Sequence, residues 1–299
     1  MRTRTNRWVG LWALIAMVAL QPSWAAESPA AAAHHSLWKL EGKTNAVYLL
    51  GSIHLLKPEN YPLAAPIESA FSNAQIVVFE TDIEKMESPE AQFKLLSKSQ
   101  LPEGETLKDR LSPALYSNFV KHAEDSGVPM MMLERFTPSM AAVTLEVMEL
   151  MKLDLDPEYG LDKHFFDRAR KSGKEIIPLE TVDFQIGLIT EFSKEESELL
   201  MKSTLEEIDN TRKLYGDMLK AWQNGDAPAM EKLLNEAMQE APVIFRRLVT
   251  DRNRRWVPKI EELLRGGKNV IVIVGAGHLV GAEGVVELLK KEGLKVSQQ

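Results

Sequence analysis

The chain has 299 residues, of which 44% are hydrophobic, 26% charged and 7% aromatic; its formal net charge is −7 and it has no cysteine. That balance is too apolar for a disordered chain and too charged for a polytopic membrane protein, and the acidity disfavours nucleic acid as a partner. Without cysteine there are no disulfides, thiolate ligands or thiol nucleophiles, so any catalytic chemistry falls to His, carboxylates, hydroxyls, Lys or Arg.

Arg2, Arg4 and Arg7, the apolar run from Trp8 to Leu20 and the small residues up to Ala25 form the three zones of a secretory signal cleaved after Ala25. The run is shorter than the roughly 20 apolar residues of a membrane span, and no later segment offers one. The mature chain is therefore expected to have no stable membrane span and to act in the periplasm or as a secreted protein. Cleavage there removes three positive charges and no negative ones, which leaves a still more acidic chain. Residues 26–36, small and polar with His34 and His35, read as a flexible tail.

Regular structure is expected from residue 37. Residues 37–41 and 46–50, joined by Gly-Lys-Thr-Asn, read as a hairpin leading into a buried strand. Residues 62–73 have helical spacing, 75–80 form a second buried strand, and 84–150 are mostly helical with loops at Pro102 and Gly104 and at Gly127 and Pro129. Next come a helix over 162–171 and a third strand over 174–180. Residues 190–265 read as a long charged helical stretch, 269–274 as a fourth strand, 283–291 as a helix and 294–296 as a last short strand. Strands separated by helices imply an α/β fold with a mixed sheet built from two strand-helix halves and a long helical insertion.

The residues just past each buried strand carry the chemistry. Gly51-Ser-Ile-His54 stands after the first, Glu80-Thr81 after the second, Glu180-Thr181 after the third and Gly275-Ala-Gly-His278 after the fourth. In α/β sheets ligands bind in the crevice at the carboxyl ends of the strands, so the order His, Glu, Glu, His points to one divalent-metal site. Glycine directly after a strand permits a tight turn, which lets the histidine three residues on fold back over the strand end. Imidazole and carboxylate without sulfur suit Zn, Mn, Co or Fe, and a spare Glu is available as general base. Glu80, nearest in sequence to His54, is expected as a ligand; Glu180 is expected as ligand or base. Taken alone, a G-x-x-H turn is usually structural and a strand-end Glu often just faces solvent.

The blocks Trp38-Lys-Leu-Glu-Gly, Val47-Tyr-Leu-Leu-Gly-Ser-Ile-His54, Val-Val-Phe-Glu80, Gly160-Leu-Asp162, Ile-Pro-Leu-Glu180-Thr with Gln185, Asp251-Arg-Asn-Arg-Arg-Trp256 and Val274-Gly-Ala-Gly-His-Leu-Val-Gly281 stand in an order that resembles the TraB/GumN family, which includes the Tiki metalloproteases. The resemblance spans residues 37–296, which are taken as one domain. It implies an erythromycin-esterase/ChaN-like fold and a divalent-metal site (Mn, Co or Zn) built from paired GxxH motifs and acids. Carried onto this chain, the motif histidines are His54 and His278 and the acids Glu80 and Glu180. Arg252 and Asn253 fall in the block before the last buried strand, as residues that orient substrate or complete the site; the alternative for that Arg-rich run is a solvated helix face. The expected activity is metal-dependent hydrolysis of a peptide or protein substrate. The competing expectation is a non-enzymatic metal- or haem-binding protein that uses the same histidines.

Overall fold

The computed structural model describes residues 34–299, with the backbone alone over 237–240. The expected signal segment and most of the expected tail lie outside the described residues. The strands are β1 (Leu37–Glu41), β2 (Ala46–Ser52), β3 (Ile76–Phe79), β4 (Glu175–Pro178), β5 (Val270–Gly275) and β6 (Val296–Gln298). They form one mixed sheet in the order β4-β3-β5-β2-β1-β6. The hairpin pairs Leu37 with Leu50 and Glu41 with Ala46. β2, β5, β3 and β4 run parallel, while β1 and β6 close the far edge antiparallel. β3 is buried along its whole length and β5 over all but its last residue, as continuous apolar strands of a sheet covered on both faces should be. β4 is the more exposed edge, where Pro178 costs no ladder bond.

Helices Ala65–Asn73, Leu161–Lys171, Asp251–Arg265 and Val285–Lys291 pack on this sheet in one hydrophobic core. A second core is built without the sheet: Leu107, Phe119 and Leu145, from the segment between β3 and β4, meet Leu188, Met201 and Leu248, from the segment between β4 and β5. The helical insertion is thus two insertions that share one interior. Residues 190–265 are not one run; they break into separate helices, with a 3-10 turn at Ile208–Asn210 and a π-helical turn at Arg246–Thr250. The last strand begins two residues later than expected. The helix Val285–Lys291 ends on Gly293 at φ +83°, and the Leu294 N–H donates to the Leu289 carbonyl, so Leu294 serves the helix end before the chain can extend.

Candidate active site

The four parallel strands end on one edge, and each hands over one of the expected side chains. The Leu179 and Glu180 amides continue the ladder past β4 by donating at 2.8 Å to the Phe79 and Glu80 carbonyls, which sets the two glutamates side by side. β5 runs into a 3-10 turn at Ala276–His278 that folds the imidazole back into the interior, where it is 7% exposed. β2 continues to His54, which is tied to the helix Leu161–Lys171 by the Leu161 amide donating to the Ile53 carbonyl at 3.0 Å. The fit there is tight: a Cβ on Gly160 would come within 2.1 Å of the His54 carbonyl oxygen.

Arg252 sits at the centre. Its Nε donates to Glu180 at 3.0 and 3.2 Å, its Nη2 to Glu180 Oε2 at 2.9 Å and to Glu80, and its Nη1 to the Leu248 carbonyl at 3.1 Å. The same Nη1 lies 3.1 Å from His278 Nε2. Glu180 also accepts from Trp256 Nε1 at 3.0 Å and Gln185 Nε2 at 2.6 Å. Glu80 Oε1 accepts the Gly275 amide at 2.8 Å and lies 4.0 Å from His278 Nε2. Each imidazole has its Nδ1 fixed from outside: His54 by Asp162 Oδ2 at 2.5 Å, with Ser52 Oγ donating to that same oxygen at 2.6 Å, and His278 by Asn253 Oδ1 at 2.7 Å.

The electrostatics reflect burial and these neighbours. Burial pushes the Glu80 carboxyl up, but the Arg252 charge first, with the charge of His54 and the Gly275 amide, holds it well below the usual carboxylate range. Burial and the Arg252 charge push His278 down to about 3, so it is neutral. Burial opposes the charge on His54 too, yet Asp162 and Glu80 outweigh it and raise His54 to about 9. His54 stands at the mouth with 42% of its side chain accessible, so solvent softens that opposition.

The site residues expected from the sequence, His54, Glu80, Glu180, Arg252, Asn253 and His278, are all brought together. Among the described residues no group of three or more His, Asp or Glu side chains is arranged to hold an ion; the Arg252 guanidinium takes up the carboxylate oxygens instead. The donor chemistry nevertheless fits a divalent cation. A Cβ on Gly275 would lie 3.4 Å from Glu80 Oε1 and 3.5 Å from both His54 Nε2 and His278 Cδ2, so the glycine leaves a small gap ringed by two imidazoles and a carboxylate. Both Nδ1 atoms are engaged from behind, the outer-shell arrangement that orients metal-binding imidazoles through Nε2. Three contributors lay outside the expected set: Asp162, Gln185 and Trp256. All three were visible only as members of sequence blocks; Asp162, an acid in the first turn of its helix, has the ordinary reading of a dipole partner.

The family model described as TraB/PrgY/gumN matches residues 36–298, and the chain belongs to that family. Among curated relatives, the protein YbaP of Escherichia coli (strain K12) is 24% identical over 243 residues, covering 81% of this chain and 87% of its own length. Metalloprotease TIKI1 of Xenopus tropicalis is 24% identical over 319 residues, and metalloprotease TIKI2 of the same species 23% over 313; this chain spans only 60% and 59% of their lengths. No solved structure matches the chain.

Proposed function

We propose that this chain is a divalent-metal-dependent peptidase acting in the periplasm or as a secreted protein, its catalytic domain running from 37 to 296 after cleavage at Ala25. One observation carries the reading: two imidazoles, each with Nδ1 held by an outer partner, flank the same small gap beside an ionised Glu80, His54 with its Nε2 and His278 with its Cδ2 edge, next to the Nε2 that Arg252 now meets. The distant likeness to two proteins named metalloproteases supports it.

His54, His278 and Glu80 would hold the ion. A carboxylate whose pKa is held this low is a poor base and a good ligand. The cation would supply Lewis acidity toward a peptide carbonyl and toward water. Arg252, fixed by two acids and 6% exposed, supplies a permanent positive charge for a developing oxyanion or a substrate carboxylate. Glu180 already accepts from Arg252, Gln185 and Trp256, so in this proposal it anchors Arg252 rather than activating water. Asn253 orients His278, and Asp162 orients His54.

The test is peptide-library hydrolysis by the mature chain with Mn, Co or Zn, together with amino-terminal sequencing of exported material. Cleavage lost in His54→Ala and His278→Ala, from a chain beginning at Ala26, is the expected result. Absence of cleavage with all three ions overturns the peptidase reading, and an intact Met1 overturns the export reading.

A further inference from the structure

The site opens into a cavity of about 360 Å³ whose walls differ in kind. One wall is the polar sheet edge with His54, Glu80, Arg252 and His278. The other is apolar: Ile83, Leu188, Ile189, Met218, Leu248 and Val249. Leu188, Leu248 and Val249 belong to the second core and Met218 to the sheet core, so the cavity is the seam between the two. Ile189, half-buried on the helix Val182–Thr190, belongs to neither core cluster among the described residues and lines the cavity. An aliphatic side chain so placed has surface to give to a ligand, since covering it removes apolar area from water.

Two further features narrow the ligand. The π-helical turn Arg246–Thr250 carries Leu248 and Val249 and leads into the helix bearing Arg252, whose Nη1 is seated on the Leu248 carbonyl. Apolar wall and central guanidinium therefore share one backbone unit, and π-turns recur at functional sites. At the cavity's edge stand exposed Glu87 and Glu158; of the cations that line the same space, Lys163 is paired with Asp167 at 2.9 Å and His54 with Asp162 at 2.5 Å. Such a rim repels acidic side chains. Ligand clefts run from roughly 300 to 1,000 Å³, so a cavity at the low end admits one or two residues of an extended chain.

We infer that the apolar wall is a side-chain subsite selecting a bulky aliphatic or aromatic residue, in a neutral or basic sequence context, next to the amide presented to the polar edge. The inference rests on the peptidase reading only in taking the ligand to be a peptide. It makes Ile189 a specificity-determining residue that takes no part in bond cleavage.

The test uses the mature chain and fluorescently labelled decapeptides that carry Leu, Ala or Glu at one central position in an otherwise neutral sequence. Binding is read by fluorescence anisotropy, with and without Mn, and cleavage in parallel. Wild type should favour Leu over Ala by about 10- to 200-fold, the range for apolar pocket contacts, and should favour Glu least. Ile189→Ala should shrink the Leu preference at least several-fold, and Ile189→Arg should move the preference toward Glu, both with wild-type metal content and melting temperature. Equal binding of Leu, Ala and Glu peptides by wild type, or an unchanged preference in two folded Ile189 variants, overturns the subsite. Because anisotropy needs no turnover, selective binding without cleavage would sink the peptidase reading and leave the subsite standing.

Discussion

Asn253 dictates the protonation of His278. The Glu283 carbonyl accepts the Asn253 side-chain amide at 2.8 Å and can only accept, so the Asn253 oxygen faces the imidazole and takes the Nδ1 proton at 2.7 Å. Nε2 is then left bare and meets the donor Arg252 Nη1 at 3.1 Å. Both partners thus fix a neutral ring with its lone pair inside the site, in agreement with the fall of the His278 pKa to about 3.

Asn253→Ala should therefore loosen the ring and lower divalent-metal affinity by about 10- to 100-fold, the usual cost of losing an outer partner, whereas His278→Ala should remove most bound metal. Metal content by mass spectrometry and affinity by competition with a chelating dye read both. Wild-type affinity in Asn253→Ala would show that the amide does not orient a ligand.

Glu180→Gln separates anchoring from base catalysis. The substitution replaces an acceptor oxygen with an amide donor facing the donors of Arg252, Trp256 and Gln185. Breaking a buried pair by removing one partner costs about 3 to 5 kcal/mol, so the urea midpoint should fall strongly. A variant of wild-type stability whose turnover alone drops by roughly 10² to 10⁴ would instead mark Glu180 as the general base.

Gly160→Ala tests the seam between His54 and its helix. The new Cβ would meet the His54 carbonyl oxygen at 2.1 Å, against main chain that has little room to move. Either the helix start or His54 must shift, at a cost of about 1 to 3 kcal/mol for overpacking, and the Asp162 contact with His54 should loosen with it. Reduced stability together with weakened metal binding is expected; a variant unchanged in both would show that the backbone there yields freely.

The sequence made the strand ends legible for a physical reason. Val47–Leu50, Ile76–Phe79 and Val270–Val274 are apolar runs, buried but for the half-buried Tyr48, and pair in parallel, so the residues just past each run emerge at the same sheet edge. Arg252 was harder to read: its neighbours Arg254 and Arg255 are exposed, and a run of arginines looks like a solvated face until the helix phase buries Arg252 and Asn253. Asp162 acts across 108 residues on His54, a pairing that no local pattern encodes. The second core was illegible because its two halves lie on either side of β4 and meet through long-range packing, as in the contacts of helix Pro138–Met151 with helix Lys194–Glu207, and through surface ion pairs such as Lys94 with Asp183.

That second core contains a buried carboxyl whose behaviour with pH is specific. Glu146, on Pro138–Met151, is 2% exposed, and both its oxygens lack a hydrogen-bond partner. Burial, and then the charge of Glu207 on the facing helix, push its pKa well above the ordinary carboxylate value. The native state thus holds a proton that the unfolded chain releases near pH 4.5. Between the unfolded and the folded pKa the native state binds more protons, so this group's contribution to stability is fully present below the unfolded pKa. It declines as pH rises, by about 1.4 kcal/mol per unit, until the folded pKa is passed. Glu146→Gln removes the titration, and Glu146→Leu removes the buried polar group as well. Relative to wild type, both variants should gain stability as pH rises above 4.5, until the folded pKa of Glu146 is passed, with the smallest difference at the acid end. Urea unfolding at several pH values reads the gain of the Glu146–Glu207 pair, since titrating groups away from that pair are common to all three proteins and cancel. Stability curves of wild type and both variants that run parallel across that range would mean that Glu146 ionises inside the fold as freely as outside it.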